Sequence, residues 1–512
     1  MKIIKMKLKN FRSYQNEIEI DFENITAFVG KNDVGKSTIL EALDIFLNGG
    51  VIKLDKNDIN KQNEENDKEI QISVIFENIP DSIILDETNP TNLKDEYLLN
   101  KDGKLEIIKK YQNGKEKEKV FLKVYHPTNP NCRDLLYKKV NELQKIVTDR
   151  NINCQDKTKK AELRKAIRDD CDDLALKDIE LELNKEDAKN IWEQLQEYMP
   201  LYALFQSDRS NDDGDNEIQD PIKFAIKEVL KDNEISITLK TIAEKITNEL
   251  QKVTNTTLEK LKEMNPAIAQ SLNPNIPSAE QLKWADVFKN ISIVGDKDIP
   301  INKRGSGVKR LILLNFFRAE VERKKDRVSK QNIIYAIEEP ETSQHQEHQR
   351  LLIESLVQLS KQNGIQVVLT THSPTIVKGL DFDKLRVVKN GNDGEKQIVK
   401  IDKASLPIPS LNEVNFLAFG EADEEYHNEL YGYIEKEEMI EKYKDTTTDK
   451  REYSKIGKNK CKNTQTITIT EYIRHQIHHP ENELNIRFTK DELHQSIEKM
   501  RDFIKNRIKQ ES

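Results

Sequence analysis

Gly30-Lys31-Asn32-Asp33-Val34-Gly35-Lys36-Ser37 is a complete G-x-x-x-x-G-K-S run. The apolar stretch Ile25 to Val29 precedes it and reads as a strand. Thr38-Ile39-Leu40-Glu41-Ala42-Leu43 follows and reads as a helix. Strand, glycine loop and helix in that order are the context in which this spacing binds phosphate. The glycines let backbone N–H groups wrap an anion, and the helix N-terminus adds its positive end. Lys36 is placed to reach β- and γ-phosphates, and Ser37 to ligate Mg²⁺. The set expected to hold ATP is Gly30, Asn32, Gly35, Lys36, Ser37 and Thr38.

Two further strand signals end in chemistry. Ile333-Ile334-Tyr335-Ala336-Ile337 runs into Glu338-Glu339-Pro340-Glu341. An acidic pair at the C-terminal end of a parallel strand suits a Mg²⁺ ligand and a water-orienting base. Glu338 is assigned to the metal, directly or through water, and Glu339 to the attacking water. Gln366-Val367-Val368-Leu369-Thr370-Thr371 then leads into His372-Ser373-Pro374. His372 comes one helix and one strand after the acids, the spacing of neighbours in a βαβ unit. It is expected to contact the γ-phosphate or the water. Lys303-Arg304-Gly305-Ser306-Gly307-Val308-Lys309-Arg310-Leu311 places a Ser-Gly pair before a basic amphipathic helix, and a hydroxyl at a helix N-terminus is a good anion donor.

As a set, these motifs resemble RecF-, SMC- and OLD-like ABC-type ATPases, as do the opening Leu8-Lys9-Asn10-Phe11-Arg12-Ser13-Tyr14, the Gly-x-Asn of the loop, E-E-P-E and T-T-H-S-P. The resemblance covers about residues 1–80 and 290–400. It implies two ATP molecules sandwiched between two heads, hence a homo-oligomer, with Ser306 and Gly307 binding the γ-phosphate held by the other subunit. Ser343 to His345 would fall in the D-loop at that interface; a Q-loop glutamine is not placed. The chain is also similar to bacterial anti-phage ATPases of the PARIS, Septu and Gabija type, which implies a sensor that controls an effector protein encoded nearby.

Composition agrees with a soluble, cytoplasmic protein. Charged residues make up 34% of the 512, mean hydropathy is −0.75, and no apolar run approaches a membrane span. No signal peptide is expected, since Met1-Lys2-Ile3-Ile4-Lys5 starts directly as a strand. Cys132, Cys154, Cys171 and Cys461 lack metal-ligand spacing and suit reduced thiols. A net charge of −8 argues against a broadly basic nucleic-acid binder, while leaving a local basic patch and nucleic-acid contact open.

The expected fold is α/β: an ABC-type head built on a mixed sheet with the phosphate loop, a helical insertion and a mainly helical C-terminal domain. The expected divisions are 1–125 for the N-terminal lobe, 126–200 for a helical or coiled-coil insertion, 201–405 for the C-terminal lobe and 406–512 for the last domain. Leu135, Val140, Leu143, Ile146, Leu163, Ile167, Leu174 and Leu176 recur at helical spacing in the insertion. Asp212-Asp213-Gly214-Asp215 reads as a solvated loop or a cation site. Residues 436–464 read as an exposed loop, poor in large apolar groups.

Five of the nine histidines follow residue 420. Arg474-His475 followed by His479 resembles the Arg-polar-x-x-x-His motif of HEPN ribonucleases. There, His acts as acid/base and Arg stabilises the phosphate transition state at a composite site of two subunits, which needs no metal. Two other readings stand beside it: a helical docking or dimerisation surface, and a metal cluster of His475, His478 and His479. After the head, Glu421-Ala422-Asp423-Glu424 is acidic but begins a helix and has no Asp-x-Asp downstream, so no TOPRIM nuclease is expected. The functional expectation is an ATP-hydrolysing switch of anti-phage defence. The alternatives are a C-terminal domain that itself cleaves RNA, and a RecF-like repair ATPase.

Overall fold

The computed structural model describes residues 1–63, 67–80, 83–86, 89–115, 117–185, 188–206, 230, 233–264, 315, 319, 322, 331–391, 395–401, 410–420, 422–456 and 462–511. The chain divides into two units. The first comprises Met1–Leu204, Lys330–Glu341 and Gln346–Ser512; the second comprises Phe205–Ser329 and Thr342–His345.

The first unit holds two six-stranded sheets. One is antiparallel, in the order β2-β1-β4-β7-β8-β9, from β1 (Lys2–Lys9), β2 (Ile18–Asp21), β4 (Glu69–Glu77), β7 (Leu105–Gln112), β8 (Glu118–Pro127) and β9 (Leu176–Glu182). A small hairpin, β5 (Ile83–Asp86) and β6 (Asn89–Thr91), lies between β4 and β7 in the chain. The second sheet has the order β10-β11-β12-β3-β13-β14, from β3 (Ile25–Val29), β10 (Leu201–Phe205), β11 (Ile333–Glu338), β12 (Ile365–Thr371), β13 (Leu385–Asn390) and β14 (Lys396–Lys400). Its centre, β11-β12-β3-β13, is parallel, and β14 closes it antiparallel. The parallel strands read as near-continuous apolar runs because both faces are covered; all five residues of β3 are buried. β1 instead alternates, sending Met6 and Leu8 inward and Lys5 and Lys7 to Glu19.

Helix α1 (Lys36–Leu47) shares one core with both sheets. Ile39, Leu40 and Phe46 join Phe28, Ile334 and Val368 of one sheet and Ile72, Val74 and Phe76 of the other. Each such side chain contributes roughly 1.5–3 kcal/mol when buried. Lys109 of β7 is fully buried near the C-terminal end of α1. Its ammonium donates to Asn48 Oδ1 (3.1 Å) and Glu118 Oε1 (3.2 Å), over the rings of Phe46 and Trp192.

The stretch expected to be helical holds α2 (Val140–Asp149), α3 (Lys160–Asp169) and α4 (Ala188–Gln196), and it packs within the first unit. Leu176 departs from the helical reading: it begins β9, which pairs with β8 from Pro127 to Phe121. Leu176, Ile179 and Leu181 have too little period of their own, and the edge of an existing sheet decides the local structure. Buried Glu96 ties α3 to the lobe, accepting from Arg164 (2.7 Å) and Arg168 (2.9 Å).

After β11 come α6 (Gln346–Ser360) and α7 (Pro374–Lys378); α5 (Asn233–Met264) belongs to the second unit. The C-terminal region contains α8 (Leu411–Phe419), α9 (Glu424–Lys436), α10 (Ile440–Thr446), the hairpin β15 (Lys450–Ile456) and β16 (Lys462–Thr468), α11 (Ile469–His478) and α12 (Lys490–Glu511). Leu493, Ile497, Met500 and Ile504 form the buried stripe of α12 against Tyr426, Leu430 and Ile434 of α9. Residues 436–464 are therefore not simply a loop. Among the described residues they include α10 and most of a hairpin, which escapes a hydropathy reading because Tyr453 is the one large apolar side chain buried among the described side chains of β15. Two polar devices lie in this core. Arg501 of α12 pairs with Glu413 of α8 (3.0 Å), and a hydroxyl chain runs Tyr443–Thr470–Ser496 to His427 Nε2. Among the described residues, no helix is long and apolar enough to cross a membrane.

Candidate nucleotide-binding site

The phosphate loop leaves β3 through Gly30 and enters α1 at Gly35. Gly30 has φ +154°, and a Cβ there would lie 2.4 Å from the Val388 carbonyl oxygen of β13. Gly35 caps α1 in a left-handed conformation, φ +99°, and a Cβ would lie 2.9 Å from Ser13 Oγ. Only glycine fits either position without displacing a neighbour. Lys36 is almost fully buried, and its ammonium donates to the carbonyls of Gly30 (2.9 Å) and Lys31 (2.7 Å). Burial pulls this ammonium below its ordinary pKa, while Glu339, Glu341, Asp33 and Glu338 pull the other way. A cation coiled over its own loop and surrounded by carboxylates is poised for a polyanion.

Ser37 Oγ donates to Glu338 Oε1, so the two expected metal ligands already touch. A hydroxyl and a carboxylate are hard oxygen donors of the kind Mg²⁺ takes alongside phosphate and water. Glu339 follows with φ +41°, an uncommon region for a residue with a Cβ, and its N–H donates to the Thr370 carbonyl (3.0 Å). His372 Nδ1 lies 3.3 Å from Glu339 Oε1 and 3.5 Å from Glu341 Oε1. The adjacency of β11 and β12 thus brings Lys36, Ser37, Glu338, Glu339 and His372 into one site at the ends of parallel strands. Thr38 is buried at the start of α1; Asn32 is exposed on the loop.

The turn after β1 forms one wall. Tyr14 OH donates to the Gly35 carbonyl (3.0 Å), and Arg12 pairs with Glu41 of α1 and Asp58. Ser13 Oγ is buried with no hydrogen-bond partner among the described residues. Ser13 also lines a cavity of about 410 Å³, with Arg12, Gln15, Asn57, Asn60 and Lys61. Neither this wall nor Glu341 was assigned a role from the sequence; the third acid of E-E-P-E was the available signal for the latter. On the other side, a Cβ at Gly420, the left-handed cap of α8, would lie 3.0 Å from Lys31 Nζ.

Ser306 and Gly307, with the rest of the expected signature and Asp212 to Asp215, lie outside the described residues. Arg474 donates to Glu435 Oε2 (3.0 Å), with its guanidinium 4.0 Å over the Tyr431 ring. His479 caps α11 and pairs with Glu481 (3.2 Å) at the surface, while His475 stacks on Tyr453. Arg474 and His479 are thus held by different partners. Among the described residues, no three His, Cys, Asp or Glu side chains are grouped to hold a metal.

A glycine loop between a strand and a helix, with two acids and a histidine on adjoining parallel strands, defines a P-loop nucleoside-triphosphatase. The AAA ATPase domain family matches residues 1–377, and the chain belongs to that family. No curated protein matches. Similar solved structures include an SMC head bound to the C-winged helix domain of ScpA, at 16% identity over 79% of this chain and 99% of that one, TM-score 0.35. The SMC head domain from Thermotoga maritima is similar at 12% identity, covering 78% of this chain and 100% of that one, TM-score 0.32. The Smc head with an extended coiled coil from Pyrococcus furiosus is similar at 16% identity, covering 78% and 96%, TM-score 0.34.

Proposed function

We propose that this ATPase is a nucleotide-driven switch: the sensor and scaffold of an anti-phage system that controls a separate effector nuclease or toxin. The observation that carries the ATP chemistry is the convergence of Lys36 and Ser37 with Glu338, Glu339 and His372. On this reading Lys36 leaves the Gly30 and Lys31 carbonyls for the β- and γ-phosphate oxygens. Ser37 and Glu338 would hold Mg²⁺, which would supply positive charge to offset that of the phosphates. Glu339 accepts a proton from, and orients, the attacking water, and His372 contacts the γ-phosphate or that water. Ser306 and Gly307 complete the site of a second copy, so ATP closes two heads and hydrolysis releases them.

The test compares wild type with Glu339→Gln. The variant should bind ATP, turn it over at least about 100-fold more slowly and accumulate as an ATP-dependent dimer. Equal turnover would remove Glu339 from the mechanism, and a monomer in saturating ATP would remove the sandwich. A second reading makes the C-terminal domain a ribonuclease, with exposed His479 as acid/base and Arg474 on the phosphate. Cleavage of added RNA that disappears in His479→Ala, with ATP turnover intact, would favour it over a separate effector.

A further inference from the structure

We infer that Glu341 is a positioning residue of the hydrolytic centre: it clamps the end of β12 so that His372 and Glu339 face the same substrate. The inference rests on the ATPase reading and adds a residue to it. Glu341 is 3% exposed. Its Oε1 accepts from Thr371 Oγ1 (2.6 Å) and from the His372 backbone N–H (2.9 Å), and lies 3.5 Å from His372 Nδ1. One carboxylate oxygen therefore gathers a side-chain hydroxyl, a backbone amide and a ring nitrogen, all from two consecutive residues. The turn Glu339-Pro340-Glu341 is in turn fixed to the same strand by the Glu339 N–H on Thr370. The two elements that carry the water-orienting acid and the histidine are thus stitched in both directions.

The contact has a chemical consequence. Ionised carboxylates only accept hydrogen bonds. His372 Nδ1 faces two of them, Glu339 Oε1 at 3.3 Å and Glu341 Oε1 at 3.5 Å. A proton on Nδ1 would meet favourable charge there and would leave Nε2 as the nitrogen for phosphate or water. Holding the strand end alone needs no charge, since Thr371 and the backbone amide are neutral donors. Through space, Glu341 also favours the charged form of the Lys36 ammonium.

The test is a double-mutant cycle on the full chain with Glu341→Gln, His372→Ala and both, reading kcat and KM for ATP. Glu341→Gln should lower kcat about 10- to 100-fold, the scale of a misplaced catalytic group, with KM changed less than about threefold. In the His372→Ala background the same change should alter kcat less than about threefold, because the group it positions is gone. A wild-type kcat in Glu341→Gln, or an equal fold-loss in both backgrounds, would overturn the inference; the latter would reduce Glu341 to a fold contact. If Glu341→Gln yields no folded protein, Thr371→Val runs through the same cycle, with the same criteria. A wild-type chain without turnover would sink the ATPase reading itself, which is a different result from an additive cycle.

Discussion

His427 gives the protein a stability that depends on pH with a computable size. It is fully buried on α9, its Nε2 bonded to Ser496 Oγ (3.0 Å), and its Nδ1 has no hydrogen-bond partner among the described residues. Burial, with a smaller contribution from Arg474, pushes its pKa from 6.5 down to about 3. Folding therefore favours the neutral ring. Above about pH 6.5 both states are neutral and the stability is intact. As pH falls below that, the unfolded chain takes up the proton first, and stability is lost until the folded ring also titrates. Between about pH 7.5 and pH 5 the loss is roughly 2 kcal/mol from this residue. His126, buried and pushed down to about 4, adds a similar loss of roughly 2 kcal/mol over the same window. The assay is urea unfolding at the two pH values for wild type and His427→Gln. Carboxylate contributions are common to both and cancel. The wild type should lose roughly 2 kcal/mol more than the variant on acidification. Parallel losses would refute the claim that His427 is buried neutral.

Three other outcomes follow from the same structure. Glu96→Gln leaves Arg164 and Arg168 buried without their carboxylate and should cost about 3–5 kcal/mol by chemical denaturation; a loss under about 1 kcal/mol would contradict the buried triad. Gly35→Ala should weaken binding of a fluorescent ATP analogue at least tenfold, because its Cβ meets Ser13 Oγ in a left-handed turn, whereas Gly432→Ala, in open space on α9, should leave binding unchanged and raise stability by about 0.5–1 kcal/mol. Ser37→Ala should raise the Mg²⁺ concentration for half-maximal ATP turnover about tenfold or more, and an unchanged requirement would take Ser37 out of the metal site.

What the chain discloses before folding is set by the range of the interaction. The loop from Gly30 to Ser37, the apolar runs of β11 and β12 and the stripe of α12 are local patterns, and each appears where periodicity and punctuation place it. The assembly of Glu338, Glu339 and His372 follows from the same rules, since a helix between two buried strands makes them parallel neighbours. β9 and the β15–β16 hairpin are different. Their residues have weak period-two signals, and they are strands because an edge or a partner offers hydrogen bonds. The clamp at Glu341 depends on Thr371, 30 positions away; E-E-P-E shows the acid but not its partner, and no local pattern announces that Ser13 Oγ is buried.

The pairing of Glu413 with Arg501 bears on modularity. α8 ends with Gly420 against Lys31 of the phosphate loop, and its buried carboxylate is neutralised from the last helix. A chain shortened after α8 would uncover Phe416 and remove Arg501, the partner of Glu413. A chain shortened before α8 would also remove Gly420 from beside Lys31. The C-terminal region is thus joined to the phosphate loop through α8, which reaches Lys31 at one end and the last helix through Glu413.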